Sequence, residues 1–341
     1  MKTATMPTKK SLFTLVIQAL LCGVALCSSL AMVNAGGFEG ANKADVDLDD
    51  YECEDCPVLE EKEFTVKFSL GYLDNEAVRF QRYLGVEDGV NVFLSGQSII
   101  RDEEGLLWKT DFHNLGIDSG GFRSELGVQG SYTLALDYQN IPLTYQSFLR
   151  SPFIESGNNL NLNPAYTVSG SSATAINSAG FSQIDLTTDW QTIGLSFDWQ
   201  TDSNFNYELD YRQLSKDGNR EFSVGQMLTA AYIPLPVDNE TEDITATISW
   251  FDDSFYASLS AMVSRFDNQL SSVIVDYPLT TIVSGSESVE IAQEPSNTYQ
   301  RVNLNLRYLY TARSHLKFNY SRGVLEQNES LLAYSLNPIF Q

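Results

Sequence analysis

The sequence predicts an all-β fold: a transmembrane antiparallel up-and-down β-barrel of the outer-membrane type. Apolar and polar residues alternate in one segment after another, and segments of about ten residues are long enough to cross a bilayer as tilted strands. Beyond the N-terminal region no run approaches the eighteen consecutive apolar residues that indicate a transmembrane helix. The 17 Tyr, 19 Phe and 4 Trp can supply the aromatic girdles of a barrel.

Residues 1–35 have the features of a secretory signal peptide. Three lysines precede an apolar run from Leu12 to Cys27, and small residues lead to Ala35, after which we expect cleavage. The alternative is a membrane anchor, but the run is short for a spanning helix and no basic cluster follows it. The mature chain should therefore begin at residue 36, outside the cytoplasm.

Residues 36–62 form an acidic segment that we expect to lie in the periplasm and that contains Cys53-Glu54-Asp55-Cys56. These are the only cysteines left after signal removal. Pro57 stands where a covalent haem site needs His, zinc lacks a full ligand set, and the acidic neighbours disfavour a reactive thiolate. A structural or redox-responsive disulfide between Cys53 and Cys56 is the favoured alternative, in a compartment that permits disulfides.

The net charge excludes one class of partner. The chain has 21 Lys and Arg against 44 Asp and Glu, a net charge of −23, and loss of three signal-peptide lysines gives 18 − 44 = −26. A surface this acidic repels nucleic acid. We therefore expect no nucleic-acid partner.

Residues 63–341 are predicted to supply about twelve barrel strands. The alternation predicts strands over the following ranges: 63–72, 89–100, 105–116, 120–129, 131–139, 193–199, 205–212, 220–231, 242–251, 254–265, 301–310 and 315–320. Polar residues at 216–219 predict a turn, and residues 140–189 predict a long connection. These boundaries place the two longest connections at opposite ends, which an up-and-down barrel does not allow, so one strand is missed or wrongly split.

The sequence contains no recognisable catalytic motif. Its only histidines, His113 and His315, fall on the polar faces of predicted strands, as do Asp111 and Lys317. A hydrolase needs a nucleophile, a base and an orienting group, and no local motif supplies this set. We expect no enzyme activity, no catalytic residue, no metal site and no cofactor bound by the chain itself.

Seven stretches carry a resemblance to the MtrB/PioB family of decahaem-associated outer-membrane barrels. They occur in order along the chain: Cys53-Glu-Asp-Cys56, Phe68-Ser-Leu-Gly-Tyr72, Phe80-Gln-Arg-Tyr-Leu-Gly85, Asn114-Leu-Gly-Ile-Asp-Ser119, Tyr132 to Pro142, Leu235-Pro-Val-Asp238 and Pro295-Ser-Asn297. The resemblance implies a porin-like sheath in the outer membrane. Such a sheath encloses a periplasmic decahaem c-type cytochrome, which carries the haem, and presents it to an outer-surface multihaem cytochrome. The competing hypothesis is a general diffusion porin or solute transporter.

The resemblance covers only the N-terminal half of family members, so we expect a truncated chain and a partial barrel. With strands about 4.8 Å apart and tilted by about 40°, twelve strands would close at a diameter of about 24 Å, and about 26 strands at about 50 Å. Only the wider barrel could hold a multihaem protein. We therefore expect an open sheet with an unpaired final edge near residues 313–322.

Overall fold

The computed structural model describes residues 62–74, 82–102, 105–166, 180–201, 203–226, 229–277, 287–311, 313–330 and 332. The predictions for the signal peptide and for Cys53 and Cys56 lie outside these residues. Among the described residues, no helix is long and apolar enough to cross a membrane.

Eleven strands form one antiparallel sheet in which strands consecutive along the chain lie side by side, except where two small excursions intervene. Their bounds, numbered in chain order, are β1 Lys62–Leu73, β2 Gly89–Arg101, β3 Leu106–Leu115, β4 Gly121–Val128, β5 Tyr132–Ser151, β8 Ser182–Gln200, β9 Phe205–Gln226, β10 Thr229–Phe251, β11 Phe255–Asn268, β14 Asn297–Thr311 and β15 Ser314–Glu326. The excursions supply a second sheet of β6 Phe153–Ser156, β7 Asn159–Leu162, β12 Ser272–Asp276 and β13 Ser288–Ala292.

The main sheet is open. Among the described strands β1 pairs only with β2, and β15 pairs only with β14, so the two edges do not meet. Every neighbouring pair in this sheet is antiparallel. The prediction of an all-β, up-and-down, partial barrel is confirmed, with eleven strands in this sheet where the sequence predicts about twelve.

One face of this sheet, called the apolar face, is covered by the alternating hydrophobic residues. Leu134, Phe197 and Leu209 lie directly opposite one another on β5, β8 and β9 and are 41%, 37% and 46% exposed. The row continues through Ala246, Ala261 and Val302 on β10, β11 and β14. Large apolar side chains exposed across a whole sheet face indicate a surface that is solvated by lipid.

Aromatic residues border the apolar face at one end of the strands. The rings of Trp199 and Tyr207 stack with centroids 5.3 Å apart, and Phe205 stacks on Tyr207 at 6.2 Å. Trp250 contacts Phe255 at 5.6 Å in the next hairpin. This arrangement is typical of the aromatic girdle at the boundary between hydrocarbon and water.

At that end of the sheet every connection between neighbouring strands is a short turn, whereas the two longest connections lie at the other end. The short turns fall at residues 102–105, 129–131, 201–204, 252–254 and 312–313, whereas the connections across 152–181 and 269–296 leave from the opposite end. The sequence-based assignment of the two long connections to opposite ends is therefore wrong. Outer-membrane barrels place short turns in the periplasm and long loops outside.

The error comes from residues 216–219, which the sequence predicts to be a turn. These residues lie inside β9, where Lys216 pairs with Asn239 and Gly218 pairs with Val237. Gly218 has a φ of +128°, and a β-carbon there would overlap the carbonyl oxygen of Thr187. Glycine thus lets the strand continue through a backbone conformation that other residues rarely adopt.

The four-stranded sheet, called the cap, packs on the polar side of the β9–β10 hairpin beyond the apolar band. Its core contains seven buried residues: Phe153, Leu160, Val224, Ile233, Leu235, Val273 and Val275. Ile233 and Leu235 share one face of β10 with Asp243, because side chains of a strand alternate with a period of two. Each fully buried apolar side chain contributes about 1.5–3 kcal/mol, so the cap is a folded unit rather than two loose loops.

An ion pair joins the cap region to β9. Arg220 Nη2 lies 3.0 Å from Glu294 Oε1, in the connection between β13 and β14, outside the apolar band. Burial raises the pKa of the Glu294 carboxyl, but a hydrogen bond from its own backbone, the hydrogen bond from Arg220 and the charges of Arg220 and Lys216 together hold this pKa below its ordinary value.

Acid should weaken this attachment. The lowered pKa means that Glu294 stabilises the fold above its ordinary pKa and that this contribution is lost as the pH falls through the lowered value. Both side chains are over one-third exposed, so we expect an effect below about 1 kcal/mol. Hydrogen exchange of the β12 amides should therefore speed up below about pH 5 relative to Glu294→Gln, which lacks the titrating group. Equal pH dependence in both proteins would contradict this role.

Candidate lumen surface

The second face of the main sheet, called the polar face, carries hydrophilic side chains between the apolar ones. On β8 the residues Thr192, Gly194, Ser196 and Asp198 alternate with the exposed apolar residues Ile193, Leu195 and Phe197. The polar face is therefore the surface that would line the interior when the apolar face contacts lipid.

A row of charges, called the charged row, crosses six neighbouring strands on this face. Register places Asp111 opposite Arg123, Arg123 opposite Asp137, Asp137 opposite Gly194, Gly194 opposite Arg212, and Arg212 opposite Asp243. The members of the row therefore run acid, base, acid, glycine, base, acid. Opposite charges on directly opposing residues stabilise a pair of strands modestly, so the row also favours this register.

Gly194 on β8 interrupts the charged row between Asp137 and Arg212. A β-carbon at Gly194 would overlap the carboxylate of Asp137, which shows that this carboxylate lies over the glycine, between β5 and β9. A groove of about 600 Å³ follows the row here and reaches His113 on β3 and Arg212 on β9. The absence of a side chain at Gly194 thus leaves room for the Asp137 carboxylate beside an open groove that the charges share.

Few of these charges form close ion pairs. Within the described part of the chain, the row takes part in one ion pair, between Arg123 Nη2 and Glu125 Oε2 at 3.6 Å on the same strand. One carboxylate oxygen of Asp243 is buried without a hydrogen-bond partner. Asp111, Asp137 and Arg212 line the groove, where water or a partner's polar groups can reach them.

The structure places the residues that the sequence singled out on the polar face. Asp111 and His113 share this face of β3 and both line the groove with Arg123. His315 lies opposite Leu309, and Lys317 lies opposite Arg307, at the far edge of the sheet. The two histidines therefore lie on well-separated strands. In the described residues no three His, Cys, Asp or Glu side chains are grouped so that they could hold a metal ion.

Sequence reasoning did not single out Arg123, Asp137, Arg212 or Asp243. Each is one polar residue in an alternating strand, and their alignment depends on register across several hairpins. Part of it was accessible, because a short hairpin turn fixes register. Counting equal steps from the turn at 201–204 pairs Gly194 with Arg212.

Comparison with known proteins identifies related sequences. Residues 72–339 match the family model described as putative outer membrane β-barrel porin, MtrB/PioB. Outer membrane protein MtrB of Shewanella baltica (strain OS185) is 25% identical over 298 residues, which are 87% of this chain and 43% of that protein. The chain thus covers less than half the length of this relative.

A solved structure is also similar. It is OmpTdeltaL8, a loop L8 deletion mutant of OmpT, an outer membrane protein of Vibrio cholerae, with a TM-score of 0.31 and 8% identity over 78% of this chain and 72% of that one.

Proposed function

The chain belongs to the MtrB/PioB family of outer-membrane porin-like β-barrels, and we propose that its sheet is part of a sheath around a periplasmic multihaem c-type cytochrome. The family match over residues 72–339 carries this proposal. The protein lies in the outer membrane, where its apolar face contacts lipid. The polar face would then surround the cytochrome.

The haem would come from the partner. The chain contains two histidines, and they lie on β3 and β15, so it cannot ligate a row of haems that spans a membrane. A multihaem cytochrome inside the sheath would supply the electron path. A second multihaem cytochrome at the end with the long connections would exchange electrons with the first on the outer surface.

The diameter of the barrel supports a sheath that contains more strands than the eleven of the main sheet. Eleven strands tilted by about 40° would close at a diameter of about 22 Å, which side chains reduce to a water channel. A folded cytochrome needs a wider interior. The eleven strands of the main sheet would therefore form one part of a wider barrel.

The Cys53–Cys56 disulfide belongs to the same proposal. Lys62, the first residue of β1, lies at the end with the short turns, so the acidic segment before it would be periplasmic. An oxidised cysteine pair is stable in that compartment. The pair would act as a small structural or redox-responsive loop rather than as a haem site.

A diffusion porin or solute transporter is the second candidate, and two observations favour it. The charged row places acids and bases side by side on the polar face, and the cap covers that face at the end with the long connections. Opposed charges and an inserted segment are what a selective constriction requires. No multihaem partner would be needed in that case.

Purification from the host separates the two functions. Detergent-solubilised outer membranes would be captured with an antibody against this protein, and the eluate stained for covalently bound haem. The sheath function predicts a c-type cytochrome in about equal amount to the captured protein, and a planar bilayer current that is low until the cytochrome is removed. Capture without haem, together with steady ion conductance, would contradict the sheath and support the porin.

A further inference from the structure

Three cations lie on the polar face at one side of the sheet. Arg307 on β14 and Lys317 on β15 lie side by side, and we call these two the basic patch. Arg301 lies on the same face about 20 Å farther along β14. The two-residue period assigns no acidic residue to the polar face of β11, β14 or β15 within their described bounds. The acids of the polar face lie on the other strands, for example Asp243 on β10 and Asp210 on β9. Glu208 on β9 lines a neighbouring hollow together with Arg301, Asn305 and Asn319.

Two of the cations oppose each other directly. Arg307 and Lys317 are register partners, and neither belongs to any of the three ion pairs found in the described residues. Like charges at directly opposing positions destabilise a pair of strands. The chain has about twice as many acidic as basic residues, yet it places these two cations opposite each other. An anion from another molecule could supply the counter-charge.

The surroundings of the pair suit a carboxylate. Tyr256 lies opposite Arg307 on β11, and Asn305 lies opposite Asn319. These side chains line a hollow of about 370 Å³ with Arg307 and Lys317. A guanidinium can bind both oxygens of a carboxylate, and the ammonium, the phenol and the amides can donate further hydrogen bonds.

The patch also has a defined depth. Arg307 and Lys317 lie near the short turn between β14 and β15, and Tyr256 lies just after the turn before β11. A protein that enters from the periplasm would meet this end first. Exposed cations there would attract and orient an acidic surface as it enters.

We propose that the basic patch binds surface carboxylates of the protein enclosed by the sheath. This inference rests on the proposed function, because it needs a protein on the polar face. The occupant is an acidic protein surface, chosen by charge complementarity, and the contacts are Arg307 and Lys317 with support from Tyr256, Asn305 and Asn319. The patch would fix how that protein is seated against β14 and β15.

A labelled peptide tests the patch without a cytochrome. The probe is a fluorescein-labelled decapeptide of glutamate, titrated by anisotropy against the full chain in uncharged detergent micelles, with a glutamine decapeptide as the neutral reference. We expect the glutamate peptide to bind and the double variant Arg307→Gln/Lys317→Gln to weaken this binding about tenfold to a hundredfold. The glutamine peptide should not bind measurably.

A matched variant removes the same charge from the other face. Arg265 and Arg322 lie at apolar-face positions of β11 and β15, opposite Glu242 and Val302. The double variant Arg265→Gln/Arg322→Gln should therefore bind the glutamate peptide as the native protein does. An equal loss in both double variants, no loss in either, or full displacement of the peptide by an equal concentration of inorganic phosphate would overturn the proposal.

The outcome is distinguishable from failure of the proposed function. A cytochrome that co-purifies from the host with a chain that does not bind the glutamate peptide overturns only the role of the basic patch. Peptide binding that depends on Arg307 and Lys317, with no cytochrome in the host eluate, overturns the sheath and leaves an anion-binding surface.

Discussion

The variant Phe197→Arg is expected to lose about 1–3 kcal/mol of folding stability in a bilayer, because it places a charge on the lipid-facing surface inside the aromatic girdle. Phe197 lies between Leu134 and Leu209 on the apolar face, two residues from the girdle residue Trp199. The arginine would have to remain in hydrocarbon or pull water and headgroups toward it. Urea titration of the protein in phosphatidylcholine vesicles, followed by tryptophan fluorescence, measures this loss.

The neighbouring residue supplies the control. Ser196 precedes Phe197 on β8, faces the groove on the polar face and lies opposite Asp210. Ser196→Arg adds the same charge one residue away, but on the side that is hydrated and carries a carboxylate. We expect its stability to lie within about 1 kcal/mol of the native protein. If both variants lost the same stability, the assignment of the two faces to lipid and interior would be wrong.

Alternation was enough to predict the class of fold and the apolar face. The residues Phe64 to Tyr72 on β1 and Ile193 to Trp199 on β8 alternate so strictly that only a two-residue period fits them. Such a pattern is local, and each strand carries it independently. The all-β fold and the lipid-facing rows could therefore be read without any knowledge of pairing.

The cap could not be predicted in the same way. Its strands are four or five residues long, and β7 pairs in parallel with β12, more than a hundred residues later in the chain. No local period specifies such a pairing. The sequence also did not predict the full lengths of β5 and β8, because apolar and polar residues no longer alternate regularly where these strands continue past the apolar band.

The charged row and the basic patch depend on register across many strands. Each hairpin turn fixes the register of one pair of strands, so a wrongly placed turn assigns wrong partners to the strands on both sides of it. The turn predicted at 216–219 was such an error, and it hid the pairing of Arg212 with Asp243. The pairing of Arg307 with Lys317 could not be predicted either: equal steps from the turn after Thr311 would pair Arg307 with Phe318, and an irregularity between Leu309 and Thr311 shifts this register by one residue.

The polar face is expected to contact a cytochrome and the apolar face is not, which gives an all-or-none prediction. Asn303 and Leu304 are neighbours on β14, and they lie opposite Ser260 and Leu259 on β11. Asn303 faces the polar side, where it accepts a hydrogen bond from Ser321 Oγ at 2.7 Å. Leu304 belongs to the apolar face. The two positions therefore probe the two sides of one strand at the same depth.

The most direct measurement is photocrosslinking at these two positions in the host. Asn303 or Leu304 is replaced by p-benzoylphenylalanine, the cells are irradiated, and outer-membrane proteins are separated under denaturing conditions and stained for haem. Covalently bound c-type haem survives this treatment. The sheath predicts a haem-stained adduct from position 303 and none from position 304. A haem-stained adduct from position 304, or its absence from position 303 when the protein is present at native levels, would contradict the enclosure of a cytochrome by this sheet.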